Sequence, residues 1–406
     1  MKLLLYRLKR VWHFFKTGLF NALPAMIKYH FPQKDLTIIA ITGTDGKTTS
    51  ATMLYHVLKH AGLKVGLITT VAAYIKDKQI PTGFHVTSPQ PKKLYQFLAQ
   101  AKEKEIKYLV LEVTSHGHYQ YRDFGLKFAL AGLTNITQEH LDYHLNYEEY
   151  VKAKLGILKK AKKVVLNEAD KSFWRLQPAL RGKIVATYSP TSYLPKNVAE
   201  AVKKRFEENF NHTNARLVYE LAKQLKIHNQ TIAEAMLSFP GVPGRMEPIP
   251  NKRSLNVYVD FAHTPNGLEA SLKSLKKLMR LNGHKNQKLI AVYGSAGERD
   301  VAKRPLMGKI GSELVDLAVF TAEDPRHENV YSIIRQMKSG IEDTHDKVLT
   351  IVDRRQAIYF AINKLAQKND YVVILGKGHE ASMNFGGKEI PWSDRQVALE
   401  ALKKEF

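Results

Sequence analysis

Short apolar runs recur along the chain and alternate with stretches whose apolar residues repeat every three to four positions. The first run, Leu36–Thr42, is rich in β-branched residues, as expected of a strand buried on both faces. A helical pattern through Met53, Leu54, Val57 and Leu58 follows it. Lys64–Thr70, Tyr108–Val113, Phe128–Ile136 and Val164–Asn167 predict further strands with helical patterns between them, which argues for a parallel sheet covered on both faces. Residues 159–205 are Lys-rich and less regular, after which Asn214–Leu225 and Thr231–Phe239 predict two helices. The stretch Pro240-Gly241-Val242-Pro243-Gly244-Arg245 reads as a hinge. Beyond it a second series predicts strands at Leu255–Phe261, Lys288–Tyr293, Leu317–Thr321, Lys347–Val352 and Tyr371–Leu375. Its helices are predicted at Pro265–Met279, Lys303–Leu314, Tyr331–Ile341, Arg355–Lys364 and Ser393–Lys404. The expected organisation is an α/β chain: an N-terminal segment 1–35, a parallel-sheet domain 36–243, and a Rossmann-like α/β domain 244–406.

The N-terminal segment has a pattern of its own. Leu4, Leu5, Leu8, Val11, Trp12, Phe15 and Leu19 follow helical spacing, with Lys2, Lys9, Arg10 and Lys16 off that stripe, and residues 1–34 hold seven Lys/Arg and no acid. A basic amphipathic helix with aromatic residues on its apolar face can lie in a membrane interface, giving peripheral contact through residues 1–34. It can equally pack on the protein, an option favoured by Pro24, Tyr29 and Phe31 just before the first strand. It is too short to span a bilayer: the longest uncharged stretch, Thr17–Ile27, contains Pro24. Cations interrupt its apolar part and no small-residue cleavage site follows, so it does not read as a cleaved signal.

Composition narrows the function. A chain of 406 residues implies two or three domains. The absence of cysteine excludes disulfides, cysteine-based zinc sites and thiol chemistry, and fits a reducing, cytoplasmic setting. Lys plus Arg exceed Asp plus Glu by 62 − 38 = 24, which points to phosphorylated substrates or an anionic surface. No nucleic-acid-binding signature accompanies this charge, so no nucleic acid partner is expected.

The chemistry centres on Gly43-Thr44-Asp45-Gly46-Lys47-Thr48-Thr49, placed between the first strand and its helix. Strand, Gly-rich turn, Lys-Thr and helix together describe a P-loop-type phosphate cradle, although the turn is one residue shorter than the usual spacing. Backbone N–H groups and the helix N-terminus face the anion, Lys47 reaches the outer phosphates, and Thr48 can hold Mg²⁺. Three more polar clusters fall at predicted strand ends, where parallel sheets bind ligands. They are Thr87-Ser88-Pro89, Glu112 to Gly117, and Thr134 to His144. Glu112 stands where a second Mg²⁺ ligand is wanted. His140 and His144 have the i, i+4 spacing of a zinc pair, but no third ligand completes a known pattern.

Taken in order, GTDGKTT, TSP, EVTSHG, TNITQEHLDYH, FNHTN, PGVPGRME, VDFAHTPNGLE, VYGSAGERDVAKRPLMG, EDPRHE and GKGHE resemble the motifs of the Mur ligases over roughly residues 36–406. The likeness is strongest to the MurE branch, which adds meso-diaminopimelate or lysine to UDP-N-acetylmuramoyl-L-alanyl-D-glutamate. The resemblance implies an ATP- and Mg²⁺-dependent amide ligase of cell-wall precursor synthesis, working through an acyl phosphate and as a monomer. It implies that Gly43 to Thr49 bind ATP, that Thr48, Glu112 and His140 serve Mg²⁺, and that Lys154, rather than Lys152, is the carbamylated metal ligand. A plain surface lysine is the other reading of Lys154. By the same likeness Thr87, Ser88, Thr114, Gln120 and Arg122 hold the muramoyl-dipeptide. Asn211, Asn214, Asp260 and His263 meet the nucleotide, and Arg245 the γ-phosphate. Arg299, Glu323, Asp324, Arg326, Gly376 and Glu380 form the amino-acid pocket, with Arg326 suited to the distal carboxylate of diaminopimelate. Two departures stand out. The usual Asp-Asn-Pro-Arg is Glu323-Asp324-Pro325-Arg326, and the family's uridine-diphosphate domain has no counterpart before the first strand. Folylpolyglutamate and cyanophycin synthetases share this chemistry, and a nucleotide-binding paralogue without catalysis is the reading from another class.

Overall fold

The doubly buried, β-branched runs become strands of two parallel-dominated sheets, as their lack of a polar face requires. The computed structural model describes the chain except residues 77, 82–87, 138–140, 207–208, 284–285, 344 and 404–406. Two compact units divide it, Met1–Pro240 and Gly241–Phe406.

The first unit is built on β1 (Thr37–Thr42), β2 (Val65–Ile68), β3 (Ala72–Ile75), β4 (Lys78–Pro81), β5 (Tyr108–Glu112), β6 (Phe128–Leu133), β7 (Ala161–Asn167) and β8 (Ile184–Tyr188). Their order is β4-β3-β2-β5-β1-β6-β7-β8. The stretch from β2 to β8 is parallel, and β3 and β4 add an antiparallel edge. β1 lies between β5 and β6, so the loops after these three strands share one end of the sheet. The apolar run to Ile136 stops being strand at Leu133, because Thr134–Thr137 turn away into that cluster of loops. The Lys-rich region expected to be less regular contains, besides β7 where a strand was expected, β8 and a helix, Lys196–Arg205, whose Val198, Ala201 and Val202 are buried beneath a cationic outer face.

The N-terminal segment is a helix, Lys2–His13, continued by wider π-helical winding over Phe14–Ala22 and a short helix, Leu23–Lys28. It packs on the first unit, but not by its apolar stripe. Tyr6, Thr17, Gly18, Ala22, Ala25 and Met26 are buried, and the last three join the core around Tyr95 and Leu98. Leu4, Leu5, Leu8, Val11, Trp12 and Phe15 stay 47–62% exposed.

The second unit carries β9 (Glu247–Ile249), β10 (Asn256–Asp260), β11 (Leu289–Tyr293), β12 (Leu317–Phe320), β13 (Val348–Thr350) and β14 (Tyr371–Leu375), ordered β13-β12-β11-β14-β10-β9. Only β9 runs antiparallel. A hairpin, β15 (Ser382–Phe385) and β16 (Lys388–Pro391), lies outside the sheet.

Candidate active site

In the first unit the turn after β1 admits glycine alone at two positions. Gly43 and Gly46 have φ of 148° and 77°. A Cβ on Gly43 would lie 1.8 Å from Thr134 Oγ1, and one on Gly46 would lie 2.4 Å from Asn214 Oδ1. Asn135 holds the turn from the end of β6, accepting from Thr44 N at 2.8 Å with its backbone oxygen and from Asp45 N at 2.9 Å with Oδ1. Thr44 Oγ1 pairs with Tyr150 Oη at 3.0 Å. Lys47, opening the helix Lys47–His60, donates to Thr44 O at 2.6 Å and so lies across the turn. Thr48 Oγ1 donates to Glu112 Oε2 at 2.9 Å, and Thr70 N donates to the same oxygen at 3.1 Å. Thr49 is buried in the helix's first turn.

Burial separates the two lysines of the helix Tyr147–Lys159. Lys152 is outside and paired with Glu149, whereas Lys154 is 1% exposed and donates to Gly43 O at 2.5 Å. A surface role for Lys154 is thereby excluded. The Thr48 hydroxyl and Glu112 carboxylate are adjacent hard oxygen donors, and they suit Mg²⁺, which keeps several waters and needs few protein ligands. His140 lies outside the described residues. Among the described residues no group of three or more His, Asp and Glu gathers as a metal cluster.

Ser88, Thr114, Gln120 and Arg122 come together beside this turn, while Thr87 lies outside the described residues. Ser88 Oγ and Thr114 Oγ1 are 3.0 Å apart. Arg122 donates to Ser88 O at 2.5 Å and to Gln120 Oε1 at 2.8 Å. Gln120 Nε2 donates to Tyr143 Oη at 2.8 Å, and the Tyr143 ring lies 4.0 Å from that of His116. Among the described residues no cluster of three or more His, Asp and Glu forms around His144 to complete a metal site, and it is buried with its Nδ1 3.0 Å from Tyr6 Oη. Burial, then the charges of Lys154 and His118, push its pKa down to about 3, so it is neutral. Asn214 donates to Asn211 Oδ1 at 3.2 Å, and both buried amides belong to the helix Asn209–Gln224, with Asn214 against Gly46.

In the second unit the candidate residues gather at the ends of β10, β12 and β14. Asp260 accepts from Ser271 Oγ at 2.6 Å, and burial raises its pKa. His263 Nδ1 is 2.8 Å from Phe261 O, and the Arg245 guanidinium sits 4.3 Å from the Phe261 ring. Lys377 is fully buried, donates to Asp324 Oδ1 at 2.7 Å and pairs with Glu380. The acid introduced by Glu-Asp-Pro-Arg is therefore matched by a buried cation. Its neighbour Glu323 is also buried, and burial pushes its pKa up to about 7. Gly376, at φ 111°, lets the Glu323 carboxyl approach: a Cβ there would lie 2.4 Å from Oε2. Arg326 is half-buried in a left-handed conformation and donates to Gly297 O. Arg299 is exposed.

Two residues outside the sequence-based set brace this cluster. Lys377 was visible as part of GKGHE, but its tie to Asp324 was not. Arg354 carried no signal. Fully buried, it forms a two-pronged pair with Asp394 at 2.8 and 2.7 Å and donates to Ala322 O and Leu375 O, the carbonyls just before Glu323 and Gly376.

The sequence matches the Mur ligase middle domain over residues 41–237 and the Mur ligase glutamate ligase domain over residues 244–378. A UDP-N-acetylmuramoyl-L-alanyl-D-glutamate–2,6-diaminopimelate ligase of Clostridium botulinum is 36% identical over 93% of this chain and 80% of its own. Its namesake from Caldanaerobacter subterraneus is 33% identical over 92% and 80%. A solved structure of a ligase with that name aligns with a TM-score of 0.59 at 28% identity, over 93% of this chain and 81% of its own. A Mycobacterium tuberculosis folylpolyglutamate synthase aligns with a TM-score of 0.72 over 96% of each chain, at 17% identity, a likeness of fold.

Proposed function

The chain belongs to the Mur ligases, and on that premise we propose that it joins a diamino acid to UDP-N-acetylmuramoyl-L-alanyl-D-glutamate, with meso-diaminopimelate as the acceptor. The family forms C–N bonds with ATP. In the reaction proposed here the substrate carboxylate attacks the γ-phosphorus of ATP, the bond to ADP breaks, and an acyl phosphate forms. The amine, having lost a proton, then adds to the acyl carbon and expels phosphate.

Gly43 to Thr49 would bind ATP, with Lys47 and the amides that open the helix Lys47–His60 holding the phosphates, since the Thr44 and Asp45 amides are taken by Asn135. Thr48, Glu112 and a carbamylated Lys154, with His140, would hold Mg²⁺, which when bound neutralises charge on the transferring phosphoryl group. Carbamylation converts the Lys154 amine and CO₂ into an anionic ligand with release of a proton. Ser88, Thr114, Gln120 and Arg122, with Thr87, suit the sugar, peptide and carboxylate of the first substrate. Asn211, Asn214, Asp260 and His263 are assigned to the nucleotide and Arg245 to its γ-phosphate. Glu323, Asp324, Gly376 and Glu380 would line the acceptor pocket, to which Arg299 is also assigned, and Arg326 would take the distal carboxylate.

The observation that carries this reading is Lys154, buried with its ammonium on the carbonyl of Gly43 in the same turn that leads to the Thr48–Glu112 pair. A protein that merely bound nucleotide has no need of Lys154 together with the rest of the set, Lys47, Thr48, Glu112 and His140. The test is phosphate release by purified protein with ATP and UDP-muramoyl-dipeptide, adding diaminopimelate, lysine, ornithine or no amine. Release that needs both substrates and is fastest with diaminopimelate is expected. Release indifferent to the amine, or none with any of them, overturns the assignment.

A further inference from the structure

An amphipathic helix that packs on its own protein normally turns its apolar stripe inward. The helix Lys2–His13 does the reverse. Its inner face is anchored by polar and aromatic contacts: Tyr6 Oη meets His144 Nδ1 at 3.0 Å, Tyr119 Oη donates to Tyr6 O, and further along Gly18 lies against Phe124. Those contacts fix which face remains outside, and it carries Leu4, Leu5, Leu8, Val11, Trp12 and Phe15, all 47–62% exposed. We propose that this face docks on an anionic lipid bilayer, with the helix lying flat in the interface.

Charge selects this occupant. Residues 1–34 contain seven cations and no acid, and the Lys16 ammonium sits 4.3 Å from the Trp12 ring, at the border of the stripe. A second copy of the chain would set two such cationic rims against each other, whereas anionic headgroups complement them. Among the described residues no helix is long and apolar enough to cross a membrane, so the attachment is peripheral. The inner face of the same helix touches Tyr119 and His144, neighbours of Gln120 and Tyr143. Docking therefore holds the pocket of Ser88, Thr114, Gln120 and Arg122 roughly one helix diameter, about 10 Å, from the lipid surface.

Co-sedimentation of the full chain with phosphatidylglycerol-containing vesicles, against vesicles of phosphatidylcholine alone, tests this at low and high salt. Binding roughly tenfold stronger to the anionic vesicles and lost at high salt is expected. Brominated lipid should quench Trp12 fluorescence. The variant Leu8→Glu with Phe15→Glu should lower binding by roughly tenfold or more, and Trp174→Glu, at an exposed tryptophan elsewhere, should leave it unchanged. Protein that stays in the supernatant at low salt overturns the proposal, as does equal loss in both variants. A concentration-dependent dimer abolished by Leu8→Glu overturns it too, by giving the face to a second copy. No turnover enters these measurements, so they stand or fall separately from the ligase assignment.

Discussion

Replacing Asp394 by alanine isolates the buried pair beneath the candidate acceptor pocket. Arg354 and Asp394 are both fully buried and joined by two hydrogen bonds, and Trp392 Nε1 donates to Asp394 Oδ1 at 2.8 Å. The substitution strands a guanidinium in the core, worth about 3–5 kcal/mol, and leaves the indole N–H unpaired, worth about 1 kcal/mol more. For a cooperative unit the size of Gly241–Phe406, each kcal/mol moves the midpoint by about 2–4 °C, so the second unit should melt roughly 10–20 °C lower. Calorimetry on the full chain reads this directly. The double variant Arg354→Met, Asp394→Leu removes both charges and should regain most of the midpoint. It should not regain affinity for the amine, because the Ala322 and Leu375 carbonyls that Arg354 holds precede Glu323 and Gly376. A shift of under about 3 °C in the single variant, or a double variant no more stable than the single, refutes this account of the pair.

Three other outcomes follow from the same geometry. Lys154→Ala should cut amide formation by roughly 100-fold or more, with partial rescue by short carboxylates, while Lys152→Ala stays near wild type; steady-state kinetics with and without added acetate decide it. Arg326→Ala should lower kcat/KM for diaminopimelate roughly 30- to 1,000-fold, and much less for lysine, in a paired-amine assay; equal losses would remove Arg326 from the distal carboxylate. Glu323 is raised from 4.5 to about 7 by folding, so it is neutral in both states at low pH; between about 4.5 and 7 the unfolded state ionises while the folded state stays protonated, so stability falls across that window and levels off above it. Glu323→Gln should therefore gain stability relative to wild type across that window, by on the order of 3 kcal/mol at its upper end, in urea melts near pH 5 and pH 8.

The phosphate turn was legible in sequence because it is local: a β-branched strand, two glycines, Lys-Thr and a helix lie within one stretch. The choice of Lys154 over Lys152 came from family likeness, and only burial gives it a physical reason. Arg354 was invisible, since its partner is 40 residues away and the carbonyls it holds belong to two other strand ends. Neither could the outward turn of the N-terminal stripe be read. Periodicity reveals a face but not its direction, and here the direction is set by Tyr6 meeting His144, 138 positions on. β4 and β8, the two edges of the sheet, were missed because they lack the continuous apolar run that marked its centre.

The ties on the Gly43–Thr49 turn bear on the entropy of nucleotide binding. Asn135 secures two of its amides, Asn214 closes on Gly46, and Tyr150 holds Thr44, so three segments distant in sequence impose one conformation on it. A loop that must order around its ligand loses roughly 1–2 kcal/mol of backbone freedom per residue. This one has surrendered that freedom on folding, and the stability of the sheet, rather than the affinity for nucleotide, bears the loss.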